Sequence, residues 1–288
     1  MMRFPNVHGL IRRRLLVNFR VEPAVVQRLL PAPFRPKLHD GHAIAGICLI
    51  RLEDIRPTGV PSIAGLSSEN AAHRIAVVWD DRGTAREGVY IPRRDTGSWL
   101  NHLAGGRIFP GAHHRATFQV TEEGERIELH MRAEDGGVRV DVAGHVAQEL
   151  PATSVFRTVS DASAFFEPGA LGYSATADAH RLDGVELKTY GWQVTPLAIE
   201  QAYSSYFADE ALFPAGSAQL DCALLMRDIP HEWQAAPDMY IYDLPSSRHP
   251  SPCTLLPSQP TGGSPSSGFS VDQTVKVARK SSSSLSMS

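Results

Sequence analysis

The chain has 288 residues, of which 42% are apolar and 20% charged, and its formal net charge at pH 7 is −3. Such a composition supports a buried globular core, and the near-neutral charge gives no sign of a nucleic-acid partner. Three scattered cysteines argue against a disulfide framework, and no apolar run approaches the roughly 20 residues of a membrane helix. We therefore expect a reduced, cytoplasmic protein that binds neither nucleic acid nor a membrane.

The N-terminal part predicts a short helix after a lead-in. Residues 1–14 are interrupted by arginines and are expected to form a loose N-terminal lead-in rather than a signal peptide. Pro23 suits a first helical turn, the apolar residues that follow share one face, and Pro31 ends the helix.

Most of the remaining chain predicts β-strands. The segments are β-branched, or alternate apolar and polar residues, and several are separated by glycines, which is typical of antiparallel hairpins. The predicted strands are 43–52, 73–79, 117–120, 126–132, 138–143, 186–194 and 217–226. So many strands with few helices favour a β-rich α+β fold built on a closed or strongly curved antiparallel sheet.

Three further helices are predicted from capping and spacing. Asp95 is expected to cap a helix that runs through Trp99, and Ser160–Phe166 forms a short amphipathic segment. Helical spacing of apolar residues predicts another helix at Ala198–Phe207. Residues 234–288 become rich in Ser, Pro and Gly, which predicts a disordered tail behind a domain spanning 15–233.

A carboxylate and an imidazole form the first candidate for chemistry. If Glu69 and His73 belong to one strand, they share a face and can do acid–base work in a pocket. The alternative is that Glu69 begins the strand in solvent. His113 and His114 are adjacent, so in a strand they point to opposite sides, and one of them can face a cavity as an acid or base. The alternative for these histidines is a place in the strand with no catalytic role.

Two other residues are assigned to substrate binding. Arg94 can grip an anionic ligand, or it can decorate a loop. Trp99 is the second candidate contact. No dinucleotide fingerprint, P-loop or zinc-peptidase motif is present, so no cofactor and no metal are predicted.

Several short segments, in this order, resemble the DUF2071 family, which is related to acetoacetate decarboxylase. The resemblance covers roughly residues 14–233, and it rests on the order and spacing of the segments more than on any one of them. They are Leu16–Pro23, Leu29–Pro31, Glu69–Asn70, Gly88–Tyr90, the segment around Trp99, Phe165–Phe166, Gly172–Ser174 and Ser204–Phe207.

The resemblance implies a barrel-like sheet around a central cavity and raises the question of the catalytic lysine. In decarboxylases of this superfamily a cavity lysine forms a Schiff base with a β-keto acid, and a second lysine lowers its pKa. The pair should fall between Gly88 and Phe118, where this chain has no lysine. Arginine cannot replace it, because arginine stays protonated. By this resemblance, Glu69 matches a cavity glutamate of the decarboxylases.

Three hypotheses follow for the function. The first is a protein that binds a small organic acid or polar metabolite in the cavity and catalyses a lysine-independent reaction such as proton transfer, hydration or isomerisation. The second is a non-catalytic ligand-binding or sensing protein. The third is a Schiff-base decarboxylase that uses Lys188, which lies in a later predicted strand and does not match the position of the catalytic lysine. Whether copies of the chain form a homo-oligomer is left open.

Overall fold

The computed structural model describes residues 6–61, 65–98 and 111–241. Within these ranges no helix is long and apolar enough to cross a membrane. The strands are β1 (Val7–Val21), β2 (Arg35–Pro36), β3 (Leu38–His39), β4 (His42–Pro57), β5 (Leu66–Asp81), β6 (Thr84–Thr96), β7 (His113–Glu123), β8 (Arg126–Ala133), β9 (Arg139–Val146), β10 (Leu171–Ala175), β11 (Arg181–Thr189), β12 (Thr195–Ser204), β13 (Ala218–Ala235) and β14 (Met239–Tyr240). The helices are α1 (Pro23–Leu29) and α2 (Val159–Phe166).

The strand pairings of the described residues close two rings that share one wall. The shared wall consists of β13, β1, β4, β5 and β6. A nine-strand ring is completed through β7, β8, β9 and β12. A seven-strand ring is completed through β10 and β11. The sheet is therefore curved and closed, as the sequence predicted, although β6 pairs in parallel with both β7 and β10.

Each face of the shared wall packs into a different hydrophobic core. Along β4, Ala45, Ile47 and Leu49 join the core within the nine-strand ring. The alternating residues Ile44 and Ile50 join the core on the side of the seven-strand ring. Because successive side chains of a strand point to opposite faces, a strand buried on both sides must be apolar throughout. This explains the apolar run 43–50 within the strand predicted at 43–52.

Helix α2 covers the second core. Its N-cap is Thr158, whose Oγ1 accepts a hydrogen bond from the backbone N of Asp161 at 3.0 Å. Phe165 and Phe166 at its end are buried in the core on the seven-strand side. The predicted helices at Pro23 and at 160–166 are thus confirmed as α1 and α2.

Four predictions about the elements need correction. Strand β1 begins at Val7, so residues 7–14 belong to the sheet and are not a loose lead-in. Asp95 does not cap a helix, because it lies inside β6 and its carboxylate accepts from Arg93. The predicted strand 186–194 is shifted, since β11 ends at Thr189. The disordered tail predicted at 234–288 begins too early, because β13 ends at Ala235 and Met239–Tyr240 forms β14. Trp99 and residues 242–288 lie outside the described residues.

The predicted helix at 198–207 is wrong, because this segment is strand β12. Its register against β9 shifts between Ile199 and Gln201. An irregularity of this kind adds one residue to the alternation, so inward side chains become three positions apart instead of two. A spacing of three is close to one turn of a helix, and this is why the segment was predicted to be helical.

Candidate functional site

A cavity of about 100 Å³ lies inside the seven-strand ring. This volume exceeds what a single water occupies and suits a small organic molecule. All seven strands of the ring contribute to its wall. We call it the arginine cavity, and its lining includes Arg14 (β1), Cys48 and Ile50 (β4), Asn70, Ala72 and Arg74 (β5), Val89, Ile91 and Arg94 (β6), His113 (β7), Gly172 (β10), Val185 and Leu187 (β11) and Trp233 (β13).

The space exists because the centre of the wall carries small side chains. Cys48 of β4 lies opposite Ala72 of β5 in the register, and Ala72 lies opposite Arg94 of β6. On the facing side, β10 contributes Gly172 and the loop before it contributes Gly169. Interiors are packed to nearly crystalline density, so a cavity in a core requires such a cluster of small residues.

Three arginines reach this cavity from three different strands. Arg14 donates from Nε to Cys48 Sγ at 3.3 Å. Arg94 donates from Nε to Ser174 Oγ at 2.9 Å. Arg74 donates from a terminal nitrogen to Asn18 Oδ1, and its guanidinium carbon lies 5.0 Å from the Phe166 ring centroid.

None of the three has a carboxylate within 4.0 Å among the described residues. Asp183 is the carboxylate that acts on Arg94 from beyond this distance. Burial lowers the pKa of Arg74 to about 10 and that of Arg94 to about 10. Both remain protonated at pH 7, so the cavity wall carries positive charge with which no carboxylate of the described residues forms a direct ion pair.

Two of the predicted site residues line the arginine cavity, namely Arg94 and His113. The ring of His113 lies with Nδ1 at 3.2 Å from the backbone oxygen of Gly111. His114 points to the other side of β7, as the strand alternation predicts, and contacts Asp135 at 2.8 Å. The structure therefore separates the two histidines.

Glu69 and His73 do share one face of β5, but that face belongs to the nine-strand ring. Glu69 is held by Arg13 at 2.7 Å. Burial raises the pKa of Glu69, and the charge of Arg13 opposes this shift. His73 is fully buried, with Nε2 at 3.2 Å from Ser204 Oγ and its ring 4.7 Å from that of Tyr206. The desolvation lowers the pKa of His73 to about 3. Neither residue lines the arginine cavity.

The lysines of the described ranges also lie outside the arginine cavity. Lys188 is exposed on β11 and is aligned with Glu232 of β13. Lys37 forms an ion pair with Glu87 at 2.7 Å and donates to the backbone oxygen of Phe165. A Schiff base on Lys188 would form in solvent, so its position contradicts the decarboxylase hypothesis that relied on this residue.

Arg14, Arg74 and Asn18 were not among the site residues predicted from the sequence. A signal was present, because Arg14 and Asn18 interrupt a long apolar strand and Arg74 adjoins the apolar run 75–79. Charged residues at buried strand positions are rare unless they are paired or functional. Among the described residues no group of three or more His, Cys, Asp or Glu is arranged to hold a metal ion.

The family model of DUF2071, described as an uncharacterized conserved protein, matches residues 10–226. The chain belongs to the DUF2071 family. A search of curated proteins finds no match.

Solved structures similar to this DUF2071 chain have acetoacetate decarboxylase-like folds. The acetoacetate decarboxylase of Legionella pneumophila matches with a TM-score of 0.55 and 11% identity over 84% of this chain and 89% of that one. An acetoacetate decarboxylase-like enzyme of Sphingomonas wittichii RW1 matches with 0.52 and 13% over 85% and 95%. The enduracididine biosynthesis enzyme MppR, complexed with pyruvate, matches with 0.52 and 10% over 84% and 93%. At these identities the likeness shows the fold alone.

Proposed function

We propose that the arginine cavity binds a small organic acid, with the carboxylate of the ligand held by the arginines. The observation that carries the proposal is the set of three inward-facing arginines that lack a carboxylate partner within the described residues. Buried charges are costly unless they are paired, so proteins keep them where a ligand supplies the opposite charge. Guanidinium groups also match the geometry of a carboxylate.

The rest of the wall favours a ligand with an apolar body. Val89, Ile91 and Val185 line the cavity beside Arg94. A ligand with an acid at one end and a short carbon skeleton at the other satisfies both parts of the wall. The pyruvate that MppR binds in its structure is a molecule of this kind and supports the choice of small acids for a first panel.

Binding without a Schiff base agrees with the positions of the lysines. Neither described lysine lines the arginine cavity, so covalent attachment of a keto acid to an amine has no support there. A second candidate function is lysine-independent proton transfer on the bound acid. His113 favours it, since His113 lines the cavity and histidine is suited to acid–base work near neutral pH.

The test is a thermal-shift and calorimetric titration of the full chain with pyruvate, other keto acids, hydroxy acids and their amides. A ligand at 100 times its Kd stabilises the folded state by roughly 2.7 kcal/mol. We expect acids to raise the Tm and the matching neutral amides to leave it unchanged. Equal responses to acids and amides, or a flat response to every acid, would contradict the proposal.

Arg94→Met provides a variant with a distinctive signature. It should abolish acid binding while leaving the ligand-free protein as stable as wild type or more so, because it removes a desolvated charge that has no carboxylate within 4.0 Å. The matched control is Arg86→Gln on the same strand, whose side chain is exposed beside Asp81. Acid binding should survive in the control. Unchanged binding in Arg94→Met would remove Arg94 from the site.

A further inference from the structure

The thiol of Cys48 lies in the wall of the arginine cavity, at the middle of strand β4. Its residue is 7% exposed and is a free cysteine. Arg14 donates to its sulfur at 3.3 Å, and the charge of Arg74 also acts on it. A nucleophilic side chain therefore lies beside the groups that, in the proposed function, hold the ligand's acid.

Arg74 gives a second, independent indication that a ligand group belongs at this point. It is only 4% exposed and lines the cavity, and its Nε has no hydrogen-bond partner among the described residues. An unsatisfied buried N–H costs free energy that a bound acceptor recovers. An anionic group bound near Arg74 would also approach Cys48, because the two side chains interact.

We propose that Cys48 is a modification site for electrophilic molecules that carry an acid group, an inference that rests on the proposed function. The arginines attract and orient the acid, and the sulfur attacks the electrophilic carbon of the same molecule. With an α-halo acid, the S–C bond forms, the carbon–halogen bond breaks, halide leaves and the thiol proton passes to solvent. The thiolate is the attacking species in such a displacement.

Cys222 serves as an internal comparison for Cys48. It is 1% exposed on β13 and contacts Asn18 at 3.6 Å. Burial raises the pKa of Cys222 to about 12, so little thiolate forms at neutral pH. It does not line the arginine cavity. The two buried cysteines therefore differ in access to the cavity and in their direct contacts, since Arg14 donates to Cys48 whereas Asn18 donates to Cys222.

The experiment compares iodoacetate with iodoacetamide on the folded full chain, with peptide mass spectrometry to assign each cysteine. The reagents differ mainly in charge. Clefts lined by one sign of charge raise the local concentration of counter-ions by roughly 10-fold to 1000-fold. We expect iodoacetate to modify Cys48 at least about 10-fold faster than iodoacetamide does, whereas Cys222 reacts with neither reagent until the protein unfolds.

Variants and ligands connect this preference to the arginines. Arg94→Met and Arg14→Gln should reduce the preference for iodoacetate, and Arg86→Gln should keep it. Any acid that raises the Tm should slow the reaction of Cys48. Equal rates for the two reagents at Cys48, or no reaction before unfolding, would overturn the inference, while the acid titration would still decide the proposed function. A flat acid titration with an intact preference for iodoacetate would overturn the proposed function alone.

Discussion

Replacement of Arg13 by methionine should destabilise the domain more than replacement of either neighbouring arginine, Arg12 or Arg14. The side chain of Arg13 is 2% exposed and contacts two carboxylates, Glu69 at 2.7 Å and Glu122 on β7. In Arg13→Met both carboxylates lose their shared cation. Removing one member of a buried ion pair costs about 3 to 5 kcal/mol, and the half-exposed Glu122 lowers our expectation to about 2 to 4 kcal/mol.

Urea unfolding at several pH values measures this loss. Burial already raises the pKa of Glu69, and Arg13 opposes the shift. Without Arg13 the carboxyl binds a proton more readily in the folded state, so the deficit against wild type should shrink as the pH falls from 7 toward 5. A loss below about 1 kcal/mol at pH 7, or a deficit independent of pH, would refute the ion-bridge explanation.

Two variants serve as controls for Arg13→Met. Arg12→Met removes the adjacent arginine, which is exposed and contacts Glu53 and Asp228, and its stability should stay close to that of wild type. Glu69→Gln keeps Glu122 as a partner for Arg13, so it should cost only about 1 kcal/mol. Acid binding should be intact in Glu69→Gln, because Glu69 faces away from the arginine cavity. Loss of binding there would restore Glu69 as a site residue.

Two further predictions concern buried positions of the shared wall. His73 is buried and its pKa is lowered to about 3, so below pH 6.5 the unfolded chain binds a proton that the folded protein does not. The free energy of unfolding should therefore fall by about 2 kcal/mol between pH 7 and pH 5. A His73→Leu variant whose free energy of unfolding in urea has the same pH dependence as wild type would contradict this. Gly46→Ala places a Cβ 2.5 Å from the backbone oxygen of Val17 and should lower the free energy of unfolding by about 1 to 3 kcal/mol. An unchanged urea midpoint would show that β1 can shift to accommodate the methyl group without loss of stability.

Sequence patterns predicted the sheet well where one physical rule dominates. The alternation at 126–132 and 138–143 identified β8 and β9, because each of these strands has one face in the core and one toward solvent. The pattern failed at β12, where the register shift at Ile199 disturbs the alternation. It also failed at residues 7–14, because arginines interrupt the apolar pattern of a strand that is buried on one side and ion-paired on the other.

The site was harder to predict than the fold, because the alternation of side chains along a strand does not say which of its two faces lines the cavity. The alternation correctly placed Glu69 and His73 on one face of β5. Both faces of β5 are buried, however, and the cavity lies on the face of Ala72 and Arg74. Ring closure through β10 and β11 creates that cavity, and it depends on the pairing of β10 with β6, between residues 83 positions apart, and of β11 with β13, between residues 42 to 50 positions apart. No local pattern carries that information.

The three consecutive arginines of β1 show how much one position in a strand decides. Arg12 lies at the surface, Arg13 bridges two carboxylates on the nine-strand side, and Arg14 enters the arginine cavity. The sequence presents them as one basic run, and composition would assign them one role. The alternation of the strand and its register shift between Ile11 and Arg13 separate them into three environments. A single basic run can thus lie in three different environments, and only the charge partners around each guanidinium distinguish them.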